Sequence, residues 1–265
     1  MNPAAMVVVL TGAAGGIGRT LAQVLVRAGA RVLLVGRREA PLAALAAELG
    51  AGPAARALVA DITRREGREA ICAAAQAQGA NVLINNAGLP CFGALESLDD
   101  ERIATVLQTN LVAPVQLTRA LLPHLRTQAE ARVLNVGSVL GRLGLPGYSV
   151  YSAGKFGLRG FSEALRRELA GSPVCVQYLG PRTTRTAFND ARVEAYNRAT
   201  ATRADATERV AHAALRLLAT RRAEEFIGYP EALAVRVNGL VPGWLDRAFM
   251  PHAAALAAGA PLSSP

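Results

Sequence analysis

The chain has 265 residues, 51% of them apolar, and carries a formal net charge of +9. That length suits one large domain or two small ones, and the apolar share is ample for a buried core. The arginines are dispersed, with no block of like charge and no interleaved aromatics, which argues against nucleic-acid binding. A basic surface of this kind attracts anionic ligands such as a phosphorylated cofactor, coenzyme A or an acidic carrier protein. The longest uncharged stretch, 70–95, is broken by Gln, Asn, Gly and Pro and does not read as a membrane span.

Apolar runs of strand length fall at 7–10, 32–35, 57–60, 82–85, 132–136, 174–178 and 225–229. Between them, helical spacing of Leu, Ile, Val and Ala occupies 18–28, 40–49, 64–78, 100–126, 152–170 and 206–219. This alternation predicts an α/β fold: a single doubly wound, Rossmann-type domain over 1–265, its parallel sheet covered by helices on both faces. In such a sheet ligands bind beyond the carboxyl ends of the strands, near the point where strand order reverses.

The first strand runs into Thr11-Gly12-Ala13-Ala14-Gly15-Gly16-Ile17-Gly18 and then a helix. Glycines let the backbone turn sharply and approach a pyrophosphate at a helix N-terminus; they also serve as plain turn residues. After the second strand comes Gly36-Arg37-Arg38, with no carboxylate before Glu39. An acidic residue there would bind the ribose hydroxyls of NAD, whereas two guanidiniums suit the 2′-phosphate of NADP(H). The plainer alternative is a pair of solvated arginines at a helix start. Asp61-Ile62, after the third strand, offers a rest for the adenine ring, unless Asp61 only caps the next helix.

Further on, Ser138 follows the fifth strand and Tyr151 stands thirteen residues later, with Lys155 one helical turn beyond it. Tyr151 and Lys155 share a helix face. A phenol is a poor acid–base group at neutral pH unless a neighbouring cation stabilises its anion, and Lys155 supplies one. Tyr148 competes for the role but has Ser152 at the corresponding position. Lys155 is also the only lysine among 29 basic residues. An ammonium has an adjustable proton affinity and a guanidinium does not, so a lone lysine marks a place where arginine would fail, chance aside. The three cysteines, Cys72, Cys91 and Cys175, have no disulfide or zinc-ligand spacing. They read as core thiols of a reducing, cytoplasmic protein without a metal. The start of the chain lacks the pattern of an export signal.

Taken in order, Thr11-Gly12-x-x-x-Gly16-x-Gly18, Asn85-Asn86-Ala87-Gly88, Asn110, Ser138 and Tyr151-x-x-x-Lys155 resemble the short-chain dehydrogenase/reductase superfamily over residues 6 to 230. The resemblance implies a seven-stranded parallel sheet and a homodimer or homotetramer. It also implies reduction of a ketone, aldehyde or 3-oxoacyl group, free or thioester-linked, by NADPH. Tyr151 would be the acid in reduction and the base in oxidation. Lys155 would hold the nicotinamide ribose, and Ser138 would orient the carbonyl. Asn110 would keep a helix open for a water that links Lys155 to solvent. Asn86, Ala87 and Gly88 would lie beside the cofactor, with Pro181, Thr184 and Thr186 contacting it from the loop after the sixth strand.

One position departs from the family pattern. Arg182 stands where glycine usually follows the proline, and a left-handed backbone would be costly there. Arg182 or Arg185 would then be available to meet an anionic substrate or the cofactor phosphates. The segment after Thr186 reads as a polar helix suited to a mobile lid. The 231–265 tail, with Trp244 and Phe249, is open between lining the substrate mouth, packing on a partner subunit and touching a membrane. A non-catalytic sensor of the NADP redox state is the alternative function; a complete Asn/Ser/Tyr/Lys set argues against it.

Overall fold

In the computed structural model, residues 1–50, 52–186, 188–229, 234–235, 238–239, 241, 243 and 246–259 are described. Seven parallel strands form one sheet in the order β3-β2-β1-β4-β5-β6-β7. They are β1 Val7–Thr11, β2 Arg31–Gly36, β3 Ala55–Val59, β4 Val82–Asn85, β5 Ala131–Val136, β6 Val174–Gly180 and β7 Glu224–Phe226. The helices are α1 Gly16–Arg27, α2 Glu39–Glu48, α3 Arg65–Gln78, α4 Asp100–Leu107, α5 Ala113–Arg126, α6 Ser149–Glu168, α7 Ala191–Ala199, α8 Thr207–Ala219 and α9 Met250–Gly259.

The central strands are apolar on both faces because both faces are covered. On one side Val8 and Leu10 pack with Leu21 and Leu25 of α1, Leu45 of α2 and Leu217 of α8. On the other, Val7 and Val9 pack with Ile71 of α3, Leu117 and Leu121 of α5 and Leu165 of α6. Strand order reverses between β1 and β4, which pair directly, Val8 beside Val82. That reversal splays the loops after β1 and β4 apart and leaves a crevice at their carboxyl ends.

Three expectations need correction. The single helix at 100–126 contains a π-helical turn, Gln108–Val112, between α4 and α5. The last strand covers only Glu224–Phe226, short of the 225–229 run. Helix α9, in the tail, lies outside the expected set, whereas α7 falls in the segment after Thr186 that reads as a polar helix. Among the described residues, no helix is long and apolar enough to cross a membrane.

Candidate active site

A cavity of about 980 Å³ opens at the carboxyl ends of the strands. Gly12, Ala14, Gly15, Gly16, Ile17 and Gly18 form one wall, and Arg37, Arg38, Asp61 and Ile62 form the end beyond β2 and β3. Asn86, Ala87 and Gly88 line its floor after β4; Pro181, Thr184 and Thr186 line it after β6. Ser138, Tyr151 and Lys155 stand at the other end. Of the residues expected to be catalytic or to contact the cofactor, Asn110 is the one that does not line the cavity.

The glycine turn has the shape a dinucleotide needs. Gly12 has φ +65, and a Cβ there would come within 2.8 Å of the Ala87 Cα. A Cβ on Gly18 would overlap the Gly12 carbonyl oxygen. Helix α1 begins with Gly15 as its cap and no side chain bonding its first amides, which leaves them to an anion. Thr11 braces the turn: its hydroxyl donates to Ile84 O at 3.2 Å and accepts from the amides of Asn86 (3.0 Å) and Ala87 (3.1 Å). Asn86 Nδ2 donates to Thr11 O at 3.0 Å, and Asn85 Nδ2 reaches Asn135 at 2.8 Å across the sheet.

At the adenosine end Arg37 and Arg38 are exposed, and Arg38 is the residue before α2 with no side-chain capping bond. Asp61 does not cap α3. Its carboxylate accepts from Thr63 N (2.9 Å) and Thr63 Oγ1 (2.7 Å), closing a turn ahead of that helix. Burial pushes the Asp61 carboxyl up, but the two Thr63 bonds and the charges of Arg37 and Arg64 outweigh it and the net shift is downward.

At the other end, Ser138 caps a short 3-10 turn, its Oγ accepting from Leu140 N at 3.1 Å. A residue not foreseen from sequence fixes this serine. The Tyr178 hydroxyl donates to Ser138 O (2.9 Å) and accepts from Ser138 N (3.0 Å). Side chains at Gly137 and Gly141 would overlap the Tyr178 ring or hydroxyl, so those glycines admit it. The only sequence signal was the pair of glycines flanking Ser138.

Tyr151 and Lys155 lie one turn apart on α6, with Lys155 Nζ 5.6 Å from the Tyr151 ring centre. Lys155 is buried and donates to Val136 O at 3.1 Å. Desolvation brings its pKa down to about 8. The expectation that Lys155 lowers the Tyr151 pKa is corrected here. Burial dominates and pushes Tyr151 well above the ordinary phenol range, neighbouring Tyr148 adds to this, and the bond to Ser138 opposes it. The resting phenol is therefore held protonated. Asn110 sits in the π turn, where its Oδ1 accepts from Leu89 N (2.7 Å) and its Nδ2 donates to Leu89 O (2.9 Å). It thereby ties that turn to the segment after Gly88.

Beyond Tyr151 the cavity is mainly apolar, walled by Phe92, Leu143, Leu145, Phe188 and Phe249. The segment after Thr186 forms α7, capped by Asp190 and anchored by Val193 and Tyr196. The Tyr196 hydroxyl donates to Pro146 O (3.0 Å) and accepts from His252 Nδ1 (2.8 Å), joining α7 to α9 over the cleft. Tyr148 packs edge-on against both Tyr151 and Tyr196. Burial, with Asp190 adding, raises the Tyr148 hydroxyl to about 12. Of the tail, Phe249 and His252 line the cavity, whereas Trp244 lies outside the described residues.

Arg182 lines the cavity without the left-handed backbone that sequence suggested. The one positive-φ residue other than glycine, among those described, is Ala201. The Arg182 guanidinium grips Asp205 through Nε (3.0 Å) and Nη2 (2.8 Å). Arg185 donates to Ala204 O at 2.8 Å. Of the cysteines, Cys91 and Cys175 are buried, while Cys72 is half-buried.

A glycine turn, a parallel sheet reversing beside it, and a half-buried Tyr151 and buried Lys155 facing the same cleft make up a doubly wound fold of the dinucleotide-binding type. The family model for short chain dehydrogenase matches residues 6–197, and the chain belongs to the short-chain dehydrogenase/reductase family, whose members are oxidoreductases. It is 32% identical over 183 residues to a 3-oxoacyl-(acyl-carrier-protein) reductase, FabG, of Vibrio cholerae, covering 68% of this chain and 74% of that one. Among solved structures, a short chain dehydrogenase from Burkholderia cenocepacia in complex with NADP is 25% identical at a TM-score of 0.82. The alignment covers 94% of this chain and 99% of that one. One from Burkholderia phymatum in complex with NAD is 25% identical at a TM-score of 0.81, covering 92% and 96%. Likeness to both complexes leaves the choice of cofactor to this chain's own residues.

Proposed function

We propose that this chain is an NADP(H)-dependent reductase of an apolar ketone, aldehyde or 3-oxoacyl group, acting in the cytoplasm as a homodimer or homotetramer. The observation that carries it is one cavity with Arg37 and Arg38 at its far end and Ser138, Tyr151 and Lys155 at the other. The arginine pair suits the 2′-phosphate of NADP(H), and no acidic residue follows β2 before Glu39 to favour the ribose hydroxyls of NAD instead. The apolar walls suit a substrate with little charge, and resemblance to a 3-oxoacyl reductase supports an acyl chain.

The dinucleotide supplies the hydride. The free amides of α1 and the glycine turn would hold its pyrophosphate, with Thr184 and Thr186 lining the same cavity. Ser138 Oγ donates to the carbonyl oxygen as negative charge develops there. The Tyr151 hydroxyl, held protonated by burial, passes its proton to the same oxygen. Lys155 spends one of its three donors on Val136 O; the others are available to a ribose hydroxyl and to a phenolate formed at Tyr151. Asn110 holds open the turn through which a water reprotonates Lys155. A redox sensor would not need a desolvated lysine beside a phenol, which makes catalysis the better reading.

The test is titration of the protein with NADPH and NADH, followed by the same titration of Arg37→Ala/Arg38→Ala. NADPH is expected to bind more tightly than NADH. The double variant should lose about thirtyfold for NADPH, equivalent to about 2 kcal/mol of charge-assisted bonding, with NADH little changed. Equal losses for both would refute the phosphate role, and binding of neither would refute the function.

A further inference from the structure

We infer that Arg182 is a positioning residue that preforms the cofactor-facing loop 183–186, working through Asp205. This rests on the dinucleotide reading above and adds a device to it. β6 ends at Gly180, and the chain then turns to bring Thr184 to the cavity wall and Thr186 against the glycine turn. Thr186 comes close enough to Gly16 that a Cβ there would strike its methyl group. The loop is thus seated at the N-terminus of α1, where the pyrophosphate would bind.

The seat is built from three segments that meet at Arg182. Its guanidinium makes two bonds to Asp205, just before α8, and the two side chains are 9% and 5% exposed. The backbones of the same two segments also pair. Asp205 N donates to Thr183 O at 2.8 Å, and Arg185 N donates to Asp205 O at 2.9 Å. The third segment follows β7. Gly228, at φ +104, makes room for the arginine, since a Cβ there would come within 2.6 Å of its Cδ. Arg182 O then accepts the Thr184 hydroxyl at 3.0 Å, so the arginine's own backbone sets that side chain's orientation.

A buried ion pair is a poor source of stability, because desolvation offsets most of the attraction; its best-attested use is to specify one arrangement over others. Glycine at this position would leave the loop many backbone states to lose when a dinucleotide binds. Arginine removes that freedom beforehand, and preorganised sites bind more tightly for that reason. Arg209, 3.0 Å from the same carboxylate, holds Asp205 from the solvent side. Burial raises the Asp205 carboxyl, but the two arginines outweigh it and keep it ionised.

The experiment compares the wild type with Arg182→Gly, Asp205→Asn, the double variant and Arg182→Lys. The readouts are the Kd for NADPH and for NADH and the rate of tryptic cleavage after Arg185. Each single variant is expected to weaken both dinucleotides by a similar factor of about ten, unlike changes at the arginine pair after β2. The double variant should be no worse than either single one, and Arg182→Lys should fall between them and the wild type. Cleavage after Arg185 should accelerate in the unliganded variants and return to the wild-type rate at saturating NADPH. Should Arg182→Gly not fold, Arg182→Lys and Asp205→Asn still test the point. Unchanged Kd values alongside a lowered melting temperature would overturn the inference by showing a purely structural pair, as would additive effects in the double variant. Failure of the wild type to bind either dinucleotide overturns the underlying reading as well, so the two failures are told apart.

Discussion

Replacing Lys155 with methionine should make the unliganded protein more stable at neutral pH while destroying its chemistry. Lys155 is 5% exposed, and its ammonium has one hydrogen bond, to Val136 O at 3.1 Å. Burial brings its pKa from 10.5 down to about 8. At about 1.4 kcal/mol per pH unit that gap is a cost to the folded state of about 3 kcal/mol. Methionine removes the charge at similar length but leaves the Val136 carbonyl without this donor, which costs about 1–2 kcal/mol. The net expectation at pH 7 is a gain of about 1–2 kcal/mol, read from urea unfolding without nucleotide. The sign with pH is fixed by linkage. The folded pKa lies below the unfolded one, so between pH 8 and 10.5 the unfolded chain binds more protons. The wild type therefore gains stability as pH rises through that window, and the full cost is present below it. The advantage of the variant should shrink from pH 8 upward and reverse near pH 10. A variant less stable than wild type at pH 7, or a difference that does not change between pH 7 and 10, would refute the reasoning.

Tyr151→Phe should lower turnover by about 10²–10⁴-fold while NADPH binding stays nearly intact; retained turnover would remove the assigned acid. Gly18→Ala places a methyl against the Gly12 carbonyl and 2.9 Å from Asn86 Nδ2. It should cost about 1–3 kcal/mol in thermal unfolding and abolish dinucleotide binding. Gly160→Ala, on α6 with nothing within 4 Å of the added methyl, is the control. It should stabilise by about 0.5–1 kcal/mol, and similar behaviour of the two variants would count against the close approach at Gly18.

The strands were legible because a sheet buried on both faces writes itself as uninterrupted apolar runs, as at 7–10 and 32–35. Boundaries moved where burial is one-sided: at β3, where Arg56, Ala57 and Val59 are exposed, the observed strand starts two residues earlier than the apolar run. The π turn at 108–112 left no mark because one extra residue hardly disturbs a helical apolar stripe. Helix α9 was missed for a different reason: it is alanine-rich and nearly uniform in polarity, so periodicity has nothing to detect. The turn, the arginine pair and the Ser138, Tyr151 and Lys155 set stood out because each needs a particular residue type beside a strand end. Tyr178 and Asp205 did not, since their partners lie 40 and 23 residues away and become neighbours only through the sheet.

A chain in which arginine has taken every basic position but one offers amine chemistry almost nothing to react with. Acylating dyes, aldehyde fixatives and amine crosslinkers would meet the chain's first amine and, inside the cleft, Lys155. Lys155 lines the cleft but is 5% exposed, so its rate of modification reports how far reagents reach that wall, without a reporter having to be installed. Any nucleotide that fills the cleft should protect it, which turns a single mass shift into a ligand screen.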